Sequence, residues 1–383
     1  MSTRRALSTV GLGSTAALLA VAGGASWYYS GRITEPPGLR RVVPAIQDRV
    51  EVVASDAATV TLRGPDAARQ GWWGVATEDA YLRVGPALFL DEEAETAVRP
   101  IELRTGSVVV GQAGLLDAYA APADPRRLPD VGDDVREVAI EGPVGPLPSW
   151  WFPGGGRTWA IAVHGRSAVR QEAFRLIPLL HGLGLPALAI SYRNDPEGPP
   201  SPDGRSHLGA TEWEDVEAAV AWARGQGAHD VVLIGMSMGG ACACELVRRS
   251  PLAGHVRALI LDAPVLDWGP VIRRAAVARG LPAAVLPLLL PPTMALAERR
   301  TQVDWQGLRH LHDPEGFDRP TLLIHGDADP TVPVELADAF ADTRPDVVTY
   351  LRVTGAGHVR SWNHDRERYE QAVTAFLGEV GAV

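Results

Sequence analysis

Val231-Val232-Leu233-Ile234-Gly235-Met236-Ser237-Met238-Gly239-Gly240 decides how the rest of the chain is read. It opens on an unbroken apolar run, the pattern of a strand buried on both faces of a parallel sheet. It then reads G-x-S-x-G and leads into Ala241–Arg249, a segment of good helix formers. A serine between two glycines on a strand-to-helix turn is a nucleophile elbow. The glycines let the backbone bend sharply, and the bend lifts the hydroxyl clear of the sheet. The same bend aims backbone N–H groups at the spot where an oxyanion would form. Taken alone, the pentapeptide also reads as a glycine-rich turn with a chance serine, so the decision rests on partners elsewhere.

On either side of this stretch, apolar runs recur at Trp159–Val163, Ala187–Tyr192, Ala258–Asp262, Thr321–His325 and Val347–Val353. Helix-length segments lie between them at Ala168–Gly182, Glu212–Arg224, Ala241–Arg249, Val334–Asp342 and Arg366–Leu377. Strands alternating with helices predict right-handed βαβ units and a mostly parallel sheet covered on both faces. Val135–Glu141 and Ser149–Phe152 add an opening strand pair, which brings the sheet to eight strands.

A serine hydroxyl becomes a nucleophile only when a base takes its proton and an acid orients that base. In such a sheet the partners belong on loops at the carboxyl ends of later strands. The run Thr321–His325 ends in Gly326-Asp327-Ala328-Asp329-Pro330, and the last strand is followed by Gly355-Ala356-Gly357-His358. Ser237, then Asp329, then His358 is the chain order of this type of triad.

From about Val135 onward, roughly two thirds of the chain therefore resembles the α/β-hydrolase superfamily. The resemblance is carried by GMSMGG around Ser237, HGDADPTVP from His325 to Pro333, and GAGH ending at His358. Within the superfamily it is most similar to the serine-aminopeptidase and monoglyceride-lipase-like branch, and its whole layout resembles membrane-anchored bacterial hydrolases known only by family. The resemblance implies an α/β fold with Ser237 as nucleophile, His358 as base and Asp329 as orienting acid. The family spacing G-x-x-D selects Asp329 over Asp327. Asp262, at the end of the sixth strand, is the alternative acid, or else a helix or turn cap. His325 reads as a structural hydrogen-bonder, and His364 as a surface or pocket-rim residue. The oxyanion hole is expected at the N–H of Met238 and in His164-Gly165-Arg166-Ser167, where the family points to Arg166 and, second, Ser167. The Arg166 side chain is in addition a candidate contact for an anionic substrate group.

Between Asp262 and Thr321 lies more chain than a strand–helix link needs. In the family an insertion here is a cap, placed at about 265–319. Its apolar, proline-broken stretch Pro282–Pro292 favours acyl or alkyl substrates, the alternative being a packed excursion that touches no substrate. The polar loop Tyr192–His207 is expected to edge the pocket.

The 383 residues carry a net charge of −10, which gives no sign of a nucleic-acid partner. Cys242 and Cys244, two apart on a helix, point to different faces and cannot bridge each other. No metal-binding or cofactor motif occurs. Arg4 and Arg5 precede Ala6–Tyr29, an uncharged apolar stretch that as a helix spans about 36 Å, enough to cross a bilayer core. Trp27-Tyr28-Tyr29 matches an interfacial belt. The expected arrangement is a signal anchor with the enzyme on the extracytoplasmic side. The alternative is a signal peptide cleaved after Ala20-Val21-Ala22, which releases a secreted form. Three hairpin signals follow: Val50–Ala54 with Thr59–Leu62, Trp72–Ala76 with Tyr81–Val84, and Arg99–Arg104 with Ser107–Val110. They predict a small β-rich accessory domain in which Trp72 and Trp73 serve packing. The expected division is thus residues 1–34 as membrane segment, 35–130 as accessory domain and 131–383 as catalytic domain. The function read from these features is a serine hydrolase acting on a small-molecule ester or amide through an acyl-enzyme. An acyltransferase using the same triad, and a non-catalytic binding or scaffold protein that kept the fold, are the alternatives.

Overall fold

The structure, a computed structural model, describes residues 22–36, 49–131, 134–312 and 316–383. Two sheets carry it. The first comprises β1 (Arg49–Ser55), β2 (Thr59–Arg63), β3 (Trp73–Ala76), β4 (Ala80–Val84), β5 (Phe89–Asp91), β6 (Thr96–Gly106) and β7 (Ala113–Asp117). The strands run β2-β1-β7-β3-β4-β6-β5, and an added β2–β6 pairing closes all but β5 into a ring. Closure removes the exposed edges that a small sheet would otherwise leave open. Val52, Leu62, Val75 and Leu82 fill its interior, completely buried, and Trp73 joins them.

The first two expected hairpins form as β1–β2 and β3–β4. The third does not. Gly106 turns the chain so that the Ser107 N–H donates to the Asp79 carbonyl, toward the β3–β4 hairpin rather than back along β6. Val109 and Val110 are left exposed, and β7 takes the place beside β1 and β3.

The second sheet runs β15-β14-β13-β12-β10-β11-β9-β8. Its strands are β8 (Arg136–Gly142), β9 (Gly145–Phe152), β10 (Thr158–Val163), β11 (Ala187–Ile190), β12 (Asp230–Met236), β13 (Val256–Asp262), β14 (Thr321–Gly326) and β15 (Val348–Val353). β10 to β15 pair parallel, and β8 and β9 are the antiparallel edge. All eight expected strands are present.

Helix α1 covers 22–33 of the described residues. It is followed by α2 (Ile177–Gly182), α3 (Trp213–Gly225), α4 (Met238–Arg249), α5 (Trp268–Ala278), α6 (Leu286–Thr301), α7 (Val334–Thr343), α8 (Ser361–His364) and α9 (Arg366–Glu379). Alternate residues of β12 go to opposite layers: Val231 and Leu233 pack with α3, α4 and α7, while Val232 and Ile234 pack with α2 and α9. That division is why the strand reads as continuously apolar.

Two expectations about helices need correction. The helix expected over Ala168–Gly182 is broken into a 3₁₀ turn at Arg170–Ala173 and the short α2. Pro178 has no N–H to donate and fits only a first turn, so α2 cannot extend back through it. Conversely, Pro282–Pro292 is broken only at its start, where a 3₁₀ turn over Ala283–Val285 precedes α6, and the helix runs on through Pro291 and Pro292.

Of the expected membrane segment Ala6–Tyr29, residues 6–21 lie outside the described residues. Among the described residues no helix is long and apolar enough to cross a membrane.

Candidate functional site

Ser237 stands between β12 and α4 with φ 52° and ψ −114°, a conformation that side chains rarely adopt. The glycines around it make this possible. A Cβ on Gly239 would lie 2.1 Å from the Val163 carbonyl oxygen, and one on Gly235 would lie 2.6 Å from the Gly240 Cα. Neither position tolerates a side chain. The α4 helix starts at Met238, whose N–H, like others in a first turn, has no partner within the helix.

His358 lies on the loop after β15. Its Nε2 is 2.9 Å from Ser237 Oγ and its Nδ1 is 2.7 Å from Asp329 Oδ2. Because the ionised carboxylate only accepts, Nδ1 donates to it and Nε2 accepts from the serine hydroxyl. Asp329 lies after β14. Its Oδ1 accepts from the N–H groups of Thr331 and Val332 at 2.7 and 2.9 Å. His325 Nε2 donates to Oδ2 at 3.2 Å and shares its proton with the Val332 carbonyl. Burial pushes the Asp329 carboxyl up, but the bonds from His325, His358 and the loop N–H groups outweigh it and hold the group well below the usual carboxylate range.

Asp262 sits one strand away at the end of β13 and is completely buried. Its side chain caps nothing, since no backbone N–H donates to it, which corrects the cap reading; the buried Tyr369 hydroxyl is the polar group beside it. Burial raises its pKa to about 6, a shift that Arg175, His325 and His358 partly offset. Only its backbone is engaged beside the elbow, where its carbonyl accepts from the Ser237 N–H at 2.9 Å. His364 is half-buried in α8 against Gly355.

The loop after β10 comes against the serine from the other side. A Cβ on Gly165 would lie 3.0 Å from the Ser237 Cβ, so the loop passes against the serine at this glycine. Several residues that the sequence did not single out hold this loop in place. The Gly165 N–H donates to Glu172 Oε2 at 2.9 Å. His164 stacks on Tyr192 and reaches Asp195 Oδ2 through Nε2 at 2.8 Å, while the Tyr192 hydroxyl donates to the Gly165 carbonyl. The segment Tyr192–His207 is therefore not simply a polar pocket edge. Tyr192, Arg193, Asn194 and Asp195 are buried, and Arg193 makes paired bonds to Asp215 at 2.8 Å. The only available signal was the density of Asn, Asp and Arg after a strand, which does not say whether a loop turns inward. The Arg166 guanidinium, expected to face a substrate anion, instead donates to the carbonyls of Ile33 and Glu35 at 2.9 and 2.8 Å.

A cavity of about 560 Å³ opens beside Arg166 and Ser167, lined mainly by apolar side chains of α1, α5 and α6. The cap is also tied to the triad, since Arg274 of α5 donates to the Asp329 carbonyl at 2.8 Å. Cys242 and Cys244 are buried, unpaired core residues of α4. Among the described residues no cluster of three or more His, Cys, Asp or Glu side chains is placed to hold a metal.

A model of the alpha/beta hydrolase family matches residues 147–373, more than half of the chain. Two uncharacterized proteins from strains of Mycobacterium tuberculosis are 28% identical over 255 residues, covering 65% of this chain and 81% of theirs. Among solved structures, one crystal form of the Pyrococcus furiosus esterase Pf2001 has a TM-score of 0.54 at 22% identity, covering 68% of this chain and 95% of that one. A second crystal form has a TM-score of 0.51 at 23% identity, covering 64% and 92%. This likeness is one of fold. The closed sheet over β1–β7 lies outside the family match.

Proposed function

The chain belongs to the alpha/beta hydrolase family, and from that premise we propose a serine hydrolase that cleaves an ester or amide through an acyl-enzyme on Ser237. The observation that carries this reading is the unbroken chain of hydrogen bonds Ser237–His358–Asp329 on the segments that follow β12, β15 and β14. His358 Nε2 takes the hydroxyl proton as Ser237 Oγ attacks the carbonyl carbon. The oxyanion so formed lies between the N–H of Met238, at the positive end of α4, and the N–H of Arg166 on the facing loop. His358 then gives its proton to the leaving group, and the acyl group stays on the serine. A water molecule, deprotonated by the same nitrogen, attacks the ester, and His358 returns that proton to Ser237 Oγ as the acid leaves. Asp329 remains ionised throughout and stabilises the imidazolium. Catalysis takes place beyond the membrane, with residues 6–29 as the anchor.

The test is covalent labelling by a fluorophosphonate, which reacts only with an activated serine. Wild type should label and Ser237→Ala should not. Triad members act as a unit, so Ser237→Ala, His358→Ala and the double variant should each lose about 10⁴–10⁶ in turnover of a chromogenic ester. Losses that multiply in the double variant would overturn the assignment.

A further inference from the structure

The cavity beside the oxyanion loop has the N-terminal segment as one of its walls. Tyr29 and Ile33 of α1 face Val271 of α5 and Leu286 and Leu290 of α6 across the 560 Å³. A space of this size, lined mainly by apolar side chains with Arg32, Glu35, Arg166 and Arg279 among them, suits a flexible ligand of drug-like volume with a polar end. The wall is bound in place. Arg166 grips the carbonyls of Ile33 and Glu35, the Ser206 N–H donates to the Thr34 carbonyl at 2.9 Å, and Arg205 reaches the Thr34 hydroxyl at 3.2 Å. Higher up, the Arg300 guanidinium lies 3.8 Å from the ring centre of Trp27 and joins α1 to α6.

The outer faces of these two elements are apolar as well. Trp27 and Tyr28 on α1 are 64% and 58% exposed, and Leu288 on α6 is 68% exposed. A cavity whose inner and outer faces are apolar, and whose wall continues the apolar run Ala6–Tyr29, is built to receive a hydrocarbon chain from a lipid surface. The loop that binds α1, through Arg166, is also the loop that abuts Ser237. Arg166 and Ser167 line the cavity and directly follow Gly165, so the cavity begins at the loop that abuts the serine.

We propose that this cavity holds the acyl chain of a membrane lipid ester, and that α1 sets which chains fit. The proposal rests on the hydrolase reading for the position of the ester. Its occupancy by an acyl chain is measured separately from turnover.

Full-length protein in its native membrane is irradiated with decanoic acid carrying a terminal diazirine, and the adducts are mapped by peptide mass spectrometry. Adducts are expected on peptides holding Tyr29–Pro36 and Val271–Leu290, in wild type and in Ser237→Ala alike. Excess decanoate should compete them away. Ile33→Trp fills the cavity from one wall and Leu290→Trp from the other, so each should cut these adducts at least about tenfold. The ratio of p-nitrophenyl decanoate to p-nitrophenyl acetate hydrolysis should fall by a similar factor. Adducts that neither competitor nor tryptophan reduces, or that appear only outside these peptides, overturn the proposal. Correct adducts without any Ser237-dependent hydrolysis would sink the hydrolase reading and leave the acyl cavity standing. Hydrolysis without the adducts would do the reverse.

Discussion

Asp262 and Asp329 end adjacent strands beside one histidine, and their surroundings drive them in opposite directions. Asp329 accepts from two backbone N–H groups and two imidazoles, whereas Asp262 is buried with no backbone N–H or cation bonded to it and only the Tyr369 hydroxyl beside it. The sign of the Asp262 effect follows from linkage. Its folded pKa of about 6 lies above the unfolded value of about 3.9, so between those values the folded state binds more protons. Stability should fall as pH rises from about 4 to about 6, and the penalty persists above that, at about 3 kcal/mol for a shift of this size. Asp262→Asn keeps the shape without the charge. Urea titrations from pH 4 to pH 7 should show the variant gaining on wild type by up to about 3 kcal/mol. A difference that does not move with pH would show Asp262 to be ionised throughout. Asp329→Asn presents a donor to His358 Nδ1 where an acceptor is needed and should reduce ester turnover by about 10²–10⁴ with the fold intact. Near-normal turnover in that variant would transfer the acid's role elsewhere. Asp329 was legible because its spacing from Gly326 repeats a family pattern. The state of Asp262 was not, because its burial without a charged partner in contact is a property of packing among residues far apart in the chain.

At the level of elements, the closed N-terminal sheet braces the segment that follows His358. Asn363 in α8 donates to the carbonyls of Trp72 and Ala118 at 2.8 and 2.9 Å, and its own carbonyl accepts from the Trp72 N–H at 2.8 Å. Arg366 at the start of α9 pairs with Glu102 of β6 at 2.6 Å and lies over the Trp72 ring. Trp72 therefore serves an interface and Trp73 a core, as their sequence setting implied, and neither faces a cavity described above. Asn363→Ala strands the buried carbonyls and should destabilise the protein by about 2–4 kcal/mol in chemical denaturation. It should also lower kcat more than it raises KM, because the histidine loop loses its brace while the pocket is untouched. An unchanged kcat would separate the sheet from catalysis. This brace was not legible beforehand. Continuous apolar runs announced every strand of the parallel sheet, but Asn363 and Trp72 are 291 positions apart and carry no periodic signal. The third hairpin failed for a related reason. Val109 and Val110 look like strand residues, yet ring closure leaves β7, and not their segment, next to β1.

On the scale of the whole molecule, the N-terminal segment has two attachments to satisfy. The sequence reads residues 6–29 as a membrane anchor, and the structure bonds Ile33, Thr34 and Glu35 to catalytic-domain loops through Arg166 and Ser206. These attachments make the anchor and the secreted form separable by experiment. Burial of some twenty apolar residues is not screened by salt and does not depend on pH. The anchored protein should therefore stay with the membrane pellet through high-salt and alkaline extraction, and external protease should reach its catalytic domain in cells. Signal cleavage after Ala20-Val21-Ala22 would instead yield a shortened soluble chain starting near Gly23. That chain would keep Tyr29, Ile33 and the carbonyls that Arg166 grips, so the acyl cavity would survive intact. Mass spectrometry of the mature N-terminus, taken from both fractions, distinguishes the two. Full-length protein in the soluble fraction would rule out the anchor.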